Sequence, residues 1–120
     1  MCTFNTREKS DALIIDFESA AGLNSFNNNA LRDSLYDLVQ ARDEPRVALD
    51  LLNVDYLSSS GVAILVGMKR RIETRKGRIV LYNVQPVVTD LLKVMKLDRY
   101  FILAADEHSA LASLRPVPTI

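Results

Sequence analysis

Strand-like and helix-like segments alternate along most of this chain, and that alternation limits the folds open to it. Strand-type apolar runs occupy Arg46–Leu52, Arg78–Asn83 and Tyr100–Leu103. The segments between them place apolar residues at three- and four-residue steps, the spacing of a helix with one buried face. A helical crossover between strands favours parallel pairing with a right-handed connection. The sequence therefore predicts an α/β domain with one mixed sheet.

We expect about four helices: Asn27–Arg42, a helix from Val62, after the serine cluster, to about Lys76, Pro86–Met95 and Glu107–Leu114. The asparagines at 27–29 are suitable caps for the first helix, and Pro45 lies where the chain must leave it. Gly77 is the expected left-handed stop of the second helix.

The N-terminal part reads as a β-hairpin at the edge of the sheet. Its strands are predicted at Thr3–Arg7 and Ala12–Phe17, with a polar turn at Glu8–Asp11 and an irregular link at Glu18–Ser25. The last six residues, 115–120, contain two prolines and are expected to form a flexible tail. Residues 1–114 are therefore expected to form the single domain.

Composition excludes several classes of function. Fifteen basic residues balance fifteen acidic ones, so no overall field favours nucleic acid or an anionic membrane. The chain has one cysteine and one histidine, which leaves no metal-ligand set and predicts neither metal nor cofactor. The longest apolar run, Val62–Met68, is too short to span a bilayer. These observations predict a cytoplasmic protein.

The candidate site is Ser58-Ser59-Ser60-Gly61, between a strand and a helix. Hydroxyls there lie beside backbone N–H groups that have no partner within the helix, and the helix dipole favours negative charge. The ordinary alternative is that a serine only caps the helix. However, one serine would suffice for that, and Gly61 suggests that some group approaches the backbone closely.

Other kinds of site have less support. A nucleophile elbow needs Gly-x-Ser-x-Gly, but Ser58 and Val62 replace both glycines around Ser60, and His108 lies in a terminal helix. The glycines are too scattered for a phosphate-binding loop. The basic segment that begins at Lys69-Arg70-Arg71 is interpreted as the solvated end of a helix, with an acidic partner surface as the alternative.

Several motifs together resemble the STAS domain, the fold of bacterial anti-anti-sigma factors. The resemblance covers about Thr3 to Leu114 and rests on four pieces of sequence. These are Leu49-Asp50-Leu51 with Val54-Asp55-Tyr56-Leu57, the serine-glycine junction at 58–61, Gly77–Val84, and Leu91-Leu92 with Leu97–Phe101.

The resemblance implies a regulatory protein rather than an enzyme. In the family, the serine before the glycine is phosphorylated by a partner that is both anti-sigma factor and serine kinase, of the histidine-kinase ATPase type, and a serine phosphatase resets the switch. That serine is Ser60 here, with Ser59 as second choice. The expected partner-binding residues are Asn24, Ser58, Ser59, Gly61 and Val62.

Two positions depart from the family pattern. Ser58 replaces an acidic residue before the serine pair, and Asn24 replaces an acid after the second strand. In the family, relatives with altered sites can act as constitutive binders or scaffolds. The alternative function is therefore an unphosphorylated STAS scaffold or a transporter-associated regulatory subunit.

Overall fold

The computed structural model describes residues 4–24 and 28–114. Five strands form one sheet: β1 (Phe4–Lys9), β2 (Ala12–Phe17), β3 (Arg46–Asp50), β4 (Arg78–Tyr82) and β5 (Ile102–Ala104). The helices are α1 (Ala20–Asn24), α2 (Asn29–Gln40), α3 (Ser59–Thr74), α4 (Pro86–Val94) and α5 (Glu107–Ser113). The predicted mixed sheet and N-terminal hairpin are confirmed, with four longer helices and one helix of five residues.

The strands lie in the order β1-β2-β3-β4-β5, antiparallel between the first two and parallel thereafter. Parallel pairing follows from the helical crossovers, since a tight turn can join only antiparallel strands. The carboxyl ends of β2, β3, β4 and β5 consequently meet at one edge of the sheet, and the loops that leave this edge carry the serines.

Both faces of the sheet are covered, which explains why Ala12–Ile15 are all buried. One face packs against α2, α3 and α4 through side chains such as Leu35, Leu65 and Leu92. Among the described residues, the other face packs against α5, whose Ala110 contributes to a smaller apolar cluster. No helix in the described part of the chain is both long and apolar enough to cross a membrane.

The hairpin differs from the prediction in its turn. Glu8 and Lys9 pair with Leu13 and Ala12, so the strand continues past Arg7. The turn is only Ser10-Asp11, with φ of 53° and 65°. Two central residues with positive φ form the type of turn that matches strand twist, and Asp tolerates it well.

The link predicted at Glu18–Ser25 is not irregular throughout, because Ala20–Asn24 form α1. Helix α3 begins at Ser59, and β5 begins at Ile102 rather than Tyr100. Asn28 does precede α2, but its side chain makes no capping bond and donates instead to the Leu23 carbonyl. Thr3, Asn27 and the tail at 115–120 lie outside the described residues.

Candidate functional site

The site is built on the loop between β3 and α3, residues 51–58, which is tied to both neighbouring loops. Towards β4, Leu51 N donates to the Tyr82 carbonyl over 3.0 Å, and Gln85 Nε2 donates to the Leu52 carbonyl over 2.6 Å. Towards β2, Asn53 Nδ2 donates to the Phe17 carbonyl over 3.3 Å. The loop is therefore held on both sides before the chain enters α3.

Ser58 is the N-cap of α3. Its backbone is extended, and its hydroxyl oxygen accepts from Gly61 N over 3.2 Å, the usual capping bond to the third helical residue. The same hydroxyl donates to the Asn24 carbonyl over 3.4 Å. Ser58 thus has a structural task, and its hydroxyl is already bonded on both sides.

Ser59 and Ser60 are the first two residues of α3. Ser59 is exposed and Ser60 is half-buried, and neither hydroxyl forms a hydrogen bond to any described residue. The first intrahelical bond runs from Val62 N to the Ser58 carbonyl, so the N–H groups of Ser59 and Ser60 have no partner among the described residues. Two unpaired donors and two available hydroxyls therefore occupy the first turn.

Asn24, at the end of α1, fixes this turn from the side. Its Oδ1 accepts from Ser58 N over 2.7 Å, and its Nδ2 donates to the Tyr56 carbonyl over 2.5 Å. An ionised carboxylate could accept from Ser58 N but could not donate to Tyr56. The two residues that depart from the family pattern, Asn24 and Ser58, are therefore direct partners joined by two hydrogen bonds.

Gly61 is a position of close approach, and the approaching group belongs to the chain itself. A Cβ at this position would lie 2.5 Å from Asn24 Oδ1, closer than real Cβ atoms come to other atoms. Gly61 and Val62 are both buried, and Val62 belongs to the main apolar core. The structure thus places these two predicted partner-binding residues beneath Asn24 and the first turn, whereas Ser59 is exposed.

The basic segment does not form one cationic surface. Lys69 lies 4.9 Å from the centre of the Tyr100 ring, and Arg71 lies 3.8 Å from that of Tyr36. Arg75 Nε donates to the Arg42 carbonyl over 2.6 Å. These cations bond to three different parts of the fold, which favours the interpretation of this segment as ordinary helix surface.

Sequence reasoning overlooked the exposed apolar side chains at the same edge of the sheet. Leu52 and Tyr56 project from the loop before α3, and Val87 projects from the first turn of α4. The sequence did offer one indication, a large aromatic residue, Tyr56, two positions before the serines and next to Asp55. His108 lies on α5, across the sheet from α3, and is not placed to activate a serine of the cluster.

Comparisons with known proteins agree with this architecture. The family model described as STAS domain matches residues 3–110. The Bordetella bronchiseptica protein named "Putative anti-sigma factor antagonist BtrV" is 27% identical over 110 residues, covering 92% of this chain and 93% of that protein. An anti-sigma-factor antagonist (STAS) domain protein from Planctomyces limnophilus has a similar structure, with a TM-score of 0.83, 20% identity and coverage of 92% and 97%.

The phosphorylated form of the Bacillus cell fate determinant SpoIIAA has the same fold, with a TM-score of 0.67 and 19% identity over 93% of this chain and 99% of that one. The match of the family model over nearly the whole chain, on a structure with the corresponding sheet and helices, shows the family. This chain belongs to the STAS domain family, and its named relatives are anti-sigma factor antagonists.

Proposed function

We propose that this protein is an anti-sigma factor antagonist whose affinity for an anti-sigma factor with serine-kinase activity is switched by phosphorylation of Ser60. The observation that carries the proposal is that the three serines differ in their hydrogen bonding. Ser58 is bonded as the helix cap, whereas the Ser60 hydroxyl has no described partner and lies in the first turn of α3. The protein acts by binding, and its serine is the substrate of the partner.

A phosphate on Ser60 is compatible with the fold. Transfer of the γ-phosphoryl group of ATP to Ser60 Oγ releases the hydroxyl proton and ADP, and adds about −1.5 to −2 charges. The unpaired N–H groups of Ser59 and Ser60 and the positive end of α3 can accommodate that charge without unfolding the helix.

The same phosphate is incompatible with a closely fitted interface. Ser60 is half-buried in the free protein, so a partner that covers it must contact its surroundings directly. The added volume would separate the two surfaces, and the charge would lose its water in the complex. Phosphorylation can therefore lower affinity without a large change of shape. We further propose a kinase of the histidine-kinase ATPase type, a serine phosphatase that resets the site, and a cytoplasmic location.

The test is intact-mass analysis after incubation with the cognate anti-sigma kinase and ATP. We expect one added phosphate on the wild type and on Ser59→Ala, and none on Ser60→Ala. Ser59→Ala is the matched control, because it removes a neighbouring hydroxyl from the same helical turn. Equal incorporation by wild type and Ser60→Ala would exclude Ser60 as the phosphoacceptor.

A constitutive scaffold or transporter-associated subunit is the second candidate, and the neutral pair of Asn24 and Ser58 favours it. If the site no longer switches, Ser60→Glu should bind the anti-sigma factor as tightly as the wild type. The phosphorylation switch requires that Ser60→Glu bind at least about tenfold more weakly, the scale expected for a central interface position.

A further inference from the structure

Three large apolar side chains are exposed at the edge of the sheet that carries the serines. Leu52 is 57% exposed, Tyr56 58% and Val87 54%. We call these three residues the apolar shelf. Leu52 and Tyr56 lie in the loop that leaves β3, and Val87 lies in the first turn of α4, after the short loop that leaves β4. Helix α3 begins from the same edge of the sheet. The shelf therefore lies at the same edge of the sheet as the first turn of α3, and Asn24 joins Tyr56 of the shelf to Ser58.

The loop backbone that carries Leu52 and Tyr56 is hydrogen-bonded to its neighbours in the free protein. Gln85 Nε2 bonds to the Leu52 carbonyl over 2.6 Å, which joins the loop before α3 to the residue that precedes α4. Asp50 Oδ1 accepts from Leu52 N over 3.0 Å and from Asn83 Nδ2 over 3.2 Å. The Tyr56 carbonyl is bonded to Asn24. A surface that is already ordered loses little conformational entropy when a partner covers it.

The charge around the shelf has one sign, although the whole chain is neutral. Residues 16–24, 50–62 and 82–90, which surround this edge, contain no lysine or arginine. They contain five carboxylates, of which Glu18, Asp55 and Asp90 are exposed and form no ion pair with any described residue. Arg32, near the start of α2, is bonded to Asp33.

We propose that the apolar shelf and its three free carboxylates form the outer part of the docking surface for the anti-sigma factor, and that the partner presents apolar side chains flanked by lysine or arginine. This inference rests on the proposed function and adds the chemistry of the partner. The apolar side chains supply contact area that leaves water, and the carboxylates attract a partner of opposite charge before contact.

The sign of this field also determines how a phosphate would act. A phosphate on Ser60 adds to the existing negative charge, so it does not repel a basic partner at long range. The phosphate must then weaken binding in the docked complex, where its volume separates the two surfaces and its charge loses contact with water. We expect Ser60→Glu to raise the dissociation rate constant and to leave the association rate constant within about threefold of wild type, because surface charge mainly sets association.

The test of the shelf compares two variants by binding kinetics with the purified cognate anti-sigma factor. The double change Leu52→Ser and Val87→Ser should raise Kd by about tenfold or more, through faster dissociation. The matched control is Val94→Ser, on the same helix as Val87 but at its other end and 80% exposed, and its Kd should stay within about twofold of wild type.

The outcomes separate this inference from the proposed function. If wild type binds, and Ser60→Glu weakens binding while the shelf variant does not, the shelf is excluded and the proposed function stands. If wild type does not bind the anti-sigma factor at all, both are wrong. If the shelf variant and Val94→Ser weaken binding equally, the effect is not specific to the shelf and the inference fails.

The charge of the partner is tested by the triple change Glu18→Gln, Asp55→Asn and Asp90→Asn. We expect slower association and a smaller dependence of the rate on salt concentration than in wild type. The control removes three exposed carboxylates from outside these loops, by Asp11→Asn, Asp37→Asn and Glu44→Gln. Association that is unchanged or faster in the shelf triple variant would contradict a basic partner.

Discussion

At the scale of single residues, three identical serines acquire three different environments within one turn. Ser58 lies before the helix and bonds to Gly61 N, Ser59 points to solvent, and Ser60 is half-buried. Nothing in the triplet itself distinguishes its members. The distinction comes from where α3 begins and from Asn24, whose amide holds Ser58 N over 2.7 Å. Asn24, one of the two positions that depart from the family pattern, is therefore bonded to the residue at which the helix starts.

Gly61→Ala tests how closely Asn24 fits. Alanine should gain up to about 1 kcal/mol of helix propensity. Its Cβ would lie 2.5 Å from Asn24 Oδ1, so the amide must move and loosen its bonds to Ser58 and Tyr56. Since overpacking and broken hydrogen bonds cost about 1–3 kcal/mol each, we expect net destabilisation of about 1–2 kcal/mol in urea unfolding.

The control for this prediction is the same substitution in an Asn24→Ala background. With the amide gone, the added methyl has room, and the loss caused by Gly61→Ala should shrink or reverse sign. An equal loss in both backgrounds would mean that Asn24 is not the group that requires glycine at this position.

At the scale of elements, the helix ends were the least predictable features. Helix α3 ends in a Schellman arrangement, in which Lys76 N bonds to the Glu73 carbonyl and Gly77 N to the Ile72 carbonyl. The residue with left-handed backbone is Lys76, with φ of 60°, and not Gly77 as expected. Gly77 is required for another reason, because a Cβ there would collide with Pro45 and lie 2.9 Å from Ile72 Cγ2.

Substitutions at Lys76 and Gly77 should therefore change the free energy of unfolding in opposite directions. Lys76→Gly relieves the left-handed strain of about 1–2 kcal/mol but increases the entropy of the unfolded chain, so we expect net stabilisation of about 0.5 kcal/mol. Gly77→Ala introduces a clash with Pro45 and should destabilise by about 1–3 kcal/mol. Chemical denaturation of both variants measures these changes.

Lys96 is a matched comparison for Lys76, because it also has φ of 60° at the end of a helix. Lys96→Gly should stabilise by a similar amount. If Lys76→Gly instead destabilises by about 1 kcal/mol, as glycine does at an ordinary helical position, the left-handed residue has been assigned to the wrong position.

The central residues of the strands and of the longer helices were predictable from the sequence, whereas the short helix α1 was not. The main strands and longer helices follow from apolar periodicity, which depends only on residues close in sequence. Helix α1 has five residues and is too short for a periodic pattern to show. It is stabilised by contacts with residues far along the chain, including Tyr56 and Ser58, and only the folded chain brings these together.

At the scale of the whole molecule, the two faces of the sheet are covered unequally. In the described part of the chain, one face packs against α2, α3 and α4 together with Leu23 of α1, whereas the other packs against α5, of seven residues. An ion pair from Arg7 and a second from Lys9 hold Glu107 of α5, and the Tyr82 hydroxyl donates to the same carboxylate over 3.4 Å. The attachment of α5 to this face of the sheet therefore depends partly on the ion pairs of Glu107.

Stability should depend on pH through Glu107. The hydrogen bond from Arg7 lowers the pKa of Glu107 below its ordinary value of 4.5. A carboxyl group with a depressed folded pKa stabilises the fold above its unfolded pKa, and that stability is lost as pH falls through the folded pKa. Because Arg7 is 48% exposed, the contribution should be about 1 kcal/mol or less.

The measurement is the free energy of unfolding between pH 7 and pH 3 for wild type and Glu107→Gln. The variant should be less stable than wild type at pH 7, and the difference should shrink only as pH falls below the ordinary glutamate pKa of 4.5 and through the lowered pKa of the folded state. Asp43→Asn is the control, since it removes an exposed ion pair elsewhere, to Arg75. A constant difference across this pH range would show that Glu107 acts by packing and not by charge.

Local spacing and short motifs were enough to predict the succession of strands and longer helices along the chain and the N-terminal hairpin. The same motifs make Ser60 the expected phosphoacceptor. The tertiary structure decided which serine is bonded, which group approaches Gly61 and which apolar side chains stay exposed. Those features join residues more than thirty positions apart, such as Asn24 with Tyr56 and Ser58. Such contacts exist only once the loops meet at one edge of the sheet.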